Sequence, residues 1–591
     1  MTPFEIAQFD FTREAVTTWA PLNGRNINWP VVYVIDNAGA VDARRKVLHD
    51  VYVGESLNAA ARMRQHFGSV EKQSLRNVRV ILDETFNKSV CLDLESYLIR
   101  MLAGDGAYRV LNRNDGITEA DYFDRGRYRE TFRDVFDELK RDGVFTRTIP
   151  EIENSDLFKL SPFKALTDDQ ATAVEGIVEG LVEDLEIGAG STIVVQGDPG
   201  TGKTVVAIYL LKLLVDIANM TDAEEIDSDT RFSDFFVEGY RELLVDLRIG
   251  LVVPQQSLRE SIKKVFRKTP GLLPEMVMTA FDVGESVESF DLLIVDESHR
   301  LNQRANQPSG VQNKKFSDIN KALFGRDDLT KTQVDWIKAK SAHQIFLLDA
   351  AQSVRPADVS PELLGSLVAA STSEHRFYRL MSQMRVQAGA DYVGYIRKLL
   401  GTASPRGAVE SVHREVFEGY DFRLFESVED MRTEIQKKDQ EFGLSRMLAG
   451  YAWAWKTKTD KTAFDIEIDG TRLRWNSTQR DWIASPTSLE EVGSIHTVQG
   501  YDLNYAGVII GPDLRYDAVR GKLFIDRDSY FDKKGKENNS VSGKVYTDDD
   551  LQKFITNIYA VLLTRGIRGT YVYVRDPALR EYLREFIQMH R

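Results

Sequence analysis

A chain of 591 residues exceeds what one hydrophobic core organises, so about three or four domains are expected, and 42% apolar with 28% charged residues is the balance of a folded soluble protein. The net charge of −14 excludes a uniformly basic nucleic-acid coat but leaves room for a local basic channel. A single cysteine, Cys91, excludes an intrachain disulfide; set in an apolar run, it reads as a small core residue of a protein kept in a reducing cytoplasm.

No basic segment leading into an apolar one opens the chain, and no uncharged apolar run approaches the roughly 18 residues of a membrane span. Repeats and low-complexity tracts are absent. A cytoplasmic location is therefore expected. Residues 31–35 and 51–54 are predicted strands with a polar, basic connection between them. Residues 58–67 are a predicted helix with Arg62 and His66 one turn apart on one face. A second predicted helix, 94–102, carries Glu95 near its start.

In this order Tyr33, the triplet Tyr52-Val53-Gly54, Arg62, His66, Glu95 and Asn112 resemble the signature of the GIY-YIG nuclease family, with Val-Val-Tyr standing for Gly-Ile-Tyr. Cutting a phosphodiester needs a positioned water, a cation for the charge that grows on the phosphorane, and relief for the leaving oxygen. The resemblance implies that Glu95 holds one Mg²⁺ as Lewis acid and Arg62 binds the scissile phosphate, with His66 in the catalytic set. One tyrosine, deprotonated near the metal, acts as base: Tyr33 is preferred with Tyr52 orienting it, and the reverse is the alternative. Singly these residues have plainer roles: strand tyrosines, a solvated arginine, an acid at a helix N-terminus. Their order and spacing carry the nuclease reading.

From 118 to 166 charges and aromatics alternate, and 130–141 is predicted as an amphipathic helix. Pro150 and Pro162 flank an acidic stretch that marks a domain boundary, so 1–120 is expected as the nuclease-like domain and 121–165 as a helical linker.

An apolar run at 192–195 leads into Gly197-Asp198-Pro199-Gly200-Thr201-Gly202-Lys203-Thr204, and a predicted helix follows over 205–218. Strand, glycine loop and helix form the setting in which G-x-x-x-x-G-K-[ST] turns backbone N–H groups around the phosphates of a nucleoside triphosphate. Lys203 would reach the β- and γ-phosphates and Thr204 would offer its hydroxyl to Mg²⁺. The apolar strand 290–295 delivers Asp296 and Glu297 at its C-terminal end, where ligands of open α/β sheets collect. Asp296 suits Mg²⁺ bound through water, and Glu297 suits the attacking water. Strand-end solvation is the plainer alternative, and the phosphate loop argues against it.

Several segments resemble superfamily 1 helicases. Gln170 stands where that superfamily reads adenine, although a helix-surface glutamine is an equal reading. Residues 249–255 match a DNA-contacting strand and turn. The strand 344–348 ends in Asp349-Ala350-Ala351-Gln352, whose Gln352 would sense the γ-phosphate, although Leu348 stands where glycine is usual. Arg385 is placed like the arginine that closes the first lobe on the nucleotide. Gln499 and Gly500 fall in a second-lobe motif, Arg565 fits the arginine finger, and Arg568 is a weaker match. The acidic stretch 220–247 is expected as a solvated surface helix with its loop, and 303–340 as a polar connection.

The likeness narrows at Ala449-Gly450-Tyr451-Ala452-Trp453-Ala454-Trp455-Lys456, Leu473-Arg474-Trp475-Asn476, Gly511-Pro512-Asp513-Leu514-Arg515-Tyr516 and Leu563-Thr564-Arg565-Gly566. These resemble the Schlafen group 3-like DNA/RNA helicase domain, a family that joins such a motor to varied partner domains in prokaryotes, GIY-YIG nucleases among them. The resemblance implies two RecA-like lobes, 166–390 and 391–591. Trp453, Trp455 and Trp475 either stack on bases or fill the core, and core is preferred. An insertion at 513–550 carries a basic run, 533–540, expected as a loop.

The fold expected is α/β: a small α+β nuclease domain, then two parallel-sheet P-loop lobes. The function expected is an ATP-dependent nuclease-helicase acting with Mg²⁺ on nucleic acid, DNA before RNA, with defence against foreign DNA as its setting by family analogy. An ATP-gated switch that controls partner assembly is the alternative, as is a motor joined to a binding-only amino-terminal domain.

Overall fold

The computed structural model describes residues 4–38, 48–113, 121–220, 231–304, 307, 309–349, 355–383, 386, 391–402, 413–476, 482–498, 502–533, 535–538, 543 and 545–590. The chain divides into two compact units: Met1–Gly190 with Thr204–Leu251 and Glu260–Val277, and Ser191–Lys203 with Val252–Arg259 and Met278–Arg591.

The first unit holds a five-stranded sheet formed by β1 (Phe4–Asp10), β2 (Val31–Asp36), β3 (His49–Ser56), β4 (Asn77–Asp83) and β5 (Tyr108–Val110). Its order is β1–β4–β2–β3–β5, antiparallel except between β3 and β5. β2 is buried along its whole length because helices cover both faces. Its side chains alternate between them. Val32 and Val34 pack with α3 (Lys88–Asp105) and α4 (Arg125–Arg141), while Val31, Tyr33 and Ile35 pack with α1 (Arg13–Trp19) and α2 (Ala59–His66).

Three expectations change here. α4 plants Phe132, Val135, Phe136 and Leu139 in the core that holds Val32 and Val34, so the segment expected as a linker packs as part of this sheet's domain. An amphipathic helix buries its apolar stripe where a sheet face is open to it. α3 starts at Lys88, capped by the Asn87 side chain on the Val90 N–H, so Glu95 lies within the helix and not in its first turn. Cys91 is buried on the same helix, as expected. The acidic stretch after α6 (Lys203–Ala218) is only partly a solvated surface. Residues 221–230 lie outside the described residues, but Phe232, Phe235 and Phe236 are buried, and the Phe232 ring stands 5.7 Å from Tyr209.

In the second unit, β6 (Ser191–Gly197), β7 (Phe290–Val295), β8 (Ser341–Leu348) and β9 (Phe377–Leu380) run parallel in the order β9–β6–β8–β7. The stretch expected as a polar connection folds into helices Gly310–Phe324 and Gln333–Lys340. Their Phe316, Ile319 and Trp336 form a small core of their own, with Trp336 Nε1 donating to Asn320 Oδ1 at 2.7 Å.

An eight-stranded sheet follows, built from β10 (Asp421–Phe425), β11 (Ser445–Ala449), β12 (Ile466–Ile468), β13 (Thr471–Trp475), β14 (Glu491–Gly493), β15 (Leu503–Ile510), β16 (Gly566–Val574) and β17 (Gln588–Met589). Its order is β12–β13–β14–β11–β15–β16–β10–β17, parallel throughout except β12 with β13. α7 (Tyr392–Leu399) and α8 (Asp548–Leu563) cover one face of its core. Trp475 is buried in the core of the other face, with Trp453 and Trp455 packed against it. In the insertion, Tyr530 and Tyr546 are buried, and Lys536 Nζ donates to the Tyr530 carbonyl at 2.7 Å.

Candidate active sites

The amino-terminal cluster grows from the register of two strands. Tyr33 pairs with Gly54 and Ile35 with Tyr52, which sets both tyrosines on one face with ring centroids 6.4 Å apart. Gly54 has a steric reason to be glycine: a Cβ there would collide with the Tyr33 hydroxyl. Beyond β5, Asn112 brackets the backbone of Val53, donating to its carbonyl at 2.8 Å and accepting its N–H at 3.1 Å. The Tyr52-Val53-Gly54 triplet is thereby held at both edges.

α2, capped by the Asn58 side chain, brings His66 Nε2 to 2.8 Å from the Tyr33 hydroxyl. The other ring nitrogen, Nδ1, lies 3.1 Å from Lys72 Nζ, which sits 3.6 Å from the centre of the Tyr52 ring. Arg62 hydrogen-bonds Tyr33, and Glu95 is near enough for its charge to act on the same phenol. Tyr33, Tyr52, Arg62, His66 and Glu95 thus converge. Lys72 joins them from a loop with no motif to announce it.

Burial raises the Tyr33 phenol well above its ordinary pKa of 10.0; Tyr52 and Glu95 add to this and Arg62 opposes it. Burial, Lys72 and Arg62 together lower His66 to about 2, so its imidazole is neutral at neutral pH. Lys72 is lowered to about 7 by burial and by Arg62 and Arg113, against Glu71. The two tyrosines differ in access: Tyr33 is fully buried and Tyr52 half-buried. Among the described residues no group of three or more His, Cys, Asp or Glu is arranged to cage a metal. A cation at Glu95 would draw its remaining ligands from water and phosphate, which is the habit of Mg²⁺.

The second cluster surrounds the glycine loop. Gly200 and Gly202 adopt φ of 88° and 79°, the left-handed conformation in which successive N–H groups form an anion-binding concavity. A Cβ at Gly197 would collide with the Thr201 hydroxyl, which donates to the Asp198 carbonyl at 2.9 Å. Lys203 Nζ donates to the carbonyls of Gly197 and Asp198 at 2.7 and 3.0 Å, and Gln383 Nε2 to that of Pro199 at 2.7 Å.

Past the end of β7, Asp296 is fully buried and its Oδ1 accepts the Glu297 N–H at 2.9 Å. Glu297 sits at φ 49°, and its Oε2 lies 3.1 Å from His299 Nε2. His299 Nδ1 accepts the Asp349 N–H at 3.2 Å, which leaves the ring proton on Nε2, the nitrogen beside Glu297. Burial disfavours the Glu297 carboxylate, but His299, Lys203 and Arg300 outweigh it and hold the group ionised well below its usual range. Arg397 of α7 reaches the same loop, with Nη1 2.7 Å from Asp198 Oδ1 and Nη2 3.5 Å from Asp349 Oδ2.

Other expected residues fall as follows. Gln170 is fully buried and caps its own helix, α5 (Asp168–Ile187), its Oε1 accepting the Thr167 N–H at 3.1 Å; the helix-surface reading is therefore corrected. Thr204 lies in the first turn of α6. Arg565 is 2% exposed where α8 meets β16. The Arg568 guanidinium lies 4.8 Å over the Phe442 ring. Gln352, Arg385, Gln499 and Gly500 lie outside the described residues. His299 had a local signal, its spacing from the acidic pair; Lys72 and Arg397 had none.

A family profile described as Schlafen group 3, DNA/RNA helicase domain, matches residues 190–576. The chain is also similar to an uncharacterized protein of Saccharomyces cerevisiae, 29% identical over 420 residues that cover 66% of this chain and 83% of that protein.

Proposed function

Because this chain belongs to the Schlafen group 3 DNA/RNA helicase family, we propose that it is an ATP-dependent nuclease-helicase acting on DNA. In the motor, Lys203 leaves the loop carbonyls to neutralise the β- and γ-phosphates while the loop N–H groups cradle them. Glu297, kept ionised beside His299, polarises the attacking water. Arg565 serves as the finger on the transferring phosphate, with Arg385, Gln352, Gln499 and Gly500 in the motif roles their resemblance implies. Gln170 would read adenine only by leaving its cap on Thr167, and Arg568 is left to its stacking contact. Thr204 and Asp296 are the residues that would hold Mg²⁺, which supplies charge neutralisation on the phosphates when bound.

In the amino-terminal domain, Glu95 would hold a second Mg²⁺, which supplies Lewis acidity at the scissile phosphate. The base is Tyr52 in place of the preferred Tyr33, since it has to be reached by solvent; as its phenolate it takes the proton of the attacking water and becomes the phenol. Tyr33 and His66 orient the site, and Arg62 takes up phosphorane charge. The single observation that carries the nuclease half is the convergence of Tyr33, Tyr52, Arg62, His66 and Glu95 from separate elements. Defence by cutting foreign DNA in the cytoplasm is the setting that accords with it.

The test is an assay of supercoiled, linear and single-stranded DNA with Mg²⁺, with and without ATP. Cleavage should fall at least about 100-fold in Glu95→Ala and in Tyr52→Phe, with DNA binding retained. Unchanged cleavage in Glu95→Ala removes the metal assignment. An ATP-gated switch is the second reading, favoured by the contacts of Gln383 and Arg397 on the loop; ATP turnover without strand displacement would select it.

A further inference from the structure

α7 carries an arginine to which neither the loop motif nor the family resemblance gives a role. Arg397 donates from Nη1 to Asp198 Oδ1 at 2.7 Å, and its Nη2 lies 3.5 Å from Asp349 Oδ2. Asp198 belongs to the glycine loop and Asp349 follows β8, so one guanidinium spans the loop and the end of the neighbouring strand. Those are the two places that flank the terminal phosphate of a triphosphate held at the C-terminal edge of such a sheet. Carboxylate and phosphate oxygens are interchangeable partners for a guanidinium fork.

The two acids are not equivalent. The Asp349 side chain is 3% exposed and Asp198 57%, with Arg397 itself at 20%. The contact to Asp349 is sheltered; the one to Asp198 faces water and is weak enough to exchange. α7 is in turn fastened to the second sheet's helix–strand junction. Tyr392 Oη donates to the Leu563 carbonyl at 2.9 Å, close in sequence to Arg565, and Tyr395 Oη donates to the Phe586 carbonyl at 3.0 Å.

We propose that Arg397 is a sensor of the third phosphate: a bound nucleoside triphosphate takes its guanidinium from Asp198, while a diphosphate leaves that pair in place. The exchange would reach the Arg565 segment through Tyr392. This rests on the nucleotide-binding reading of the loop, and the experiment separates the two.

Full-length protein is titrated with fluorescent ADP and with a fluorescent, non-hydrolysable ATP analogue. Wild type should bind the triphosphate more tightly. Arg397→Ala should weaken triphosphate binding about 10-fold, or about 1.4 kcal/mol, with ADP affinity within about twofold of wild type. Arg397→Lys should recover part of the loss, and Asp198→Asn should raise the preference for triphosphate by removing the competing partner. Equal shifts for both nucleotides in Arg397→Ala, or none, overturn the sensor. If Arg397→Ala fails to fold, Arg397→Lys and Asp198→Asn decide the question by the same ratio. Loss of both nucleotides in Lys203→Ala, with binding of both in wild type, upholds the loop reading on its own; a wild type that binds neither overturns the reading and the sensor together.

Discussion

His66 sits between a phenol and an amine and is buried too deeply to carry a charge. Its folded pKa of about 2 lies below the ordinary 6.5, so the unfolded chain binds more protons across that interval. The stability this residue confers therefore rises with pH through the window and is lost as pH falls from 6.5 toward 2. The exchange protection of α2, taken relative to the intrinsic rate at each pH, should fall between pH 6.5 and 4, and a His66→Gln variant should show a smaller fall over the same range. An equal fall in both proteins would assign the acid sensitivity elsewhere. Lys72 lay beyond sequence reasoning for the same reason that it matters: its burial, with Arg62 and Arg113 brought from separate stretches, makes an ordinary loop lysine unusual.

β2, β3 and the residue past β5 work as one element. Tyr33 keeps its place because Gly54 leaves room for its hydroxyl, and Gly54 keeps its place because Asn112 pins the preceding peptide. Gly54→Ala should cost about 1–3 kcal/mol by overpacking and displace Tyr33. Asn112→Ala should cost about 1–3 kcal/mol by leaving the Val53 N–H and carbonyl without this partner. Since a chain of several domains does not unfold in one step, the measurement is exchange protection at Val53 and its neighbours. Wild-type protection in Asn112→Ala would show that the bracket is incidental. The strands themselves were legible from their apolar runs. The extent of α3 was not, because its cap at Asn87 precedes the apolar run by which the helix is recognised.

For the molecule as a whole, the family match supports a nucleic-acid-related P-loop NTPase, and the amino-terminal cluster is the ground on which a cutter is proposed beside it. Lys203→Ala should abolish ATP turnover while leaving circular dichroism unchanged, because the residue's bonds are to loop carbonyls and not to a packed core. If the cutter is independent chemistry, Mg²⁺-dependent nicking of supercoiled DNA should survive in that variant, and any ATP-stimulated cutting should disappear. Nicking that vanishes with Lys203 would mean that the amino-terminal domain cannot act without the motor.

By itself the sequence determined the parts whose chemistry is local. A glycine loop between strand and helix, an acid pair on an apolar strand, and tyrosines in alternating runs are all specified by neighbours a few positions away, where backbone periodicity and glycine's conformational range decide the outcome. Tertiary structure alone decided the partners. His299, two residues from Glu297, reaches Asp349, and Arg397 lies across Asp198 and Asp349, because packing brings together side chains that sequence keeps far apart. A charge or a hydrogen bond acts over a few ångströms of space and carries no trace in the spacing of the residues that share it.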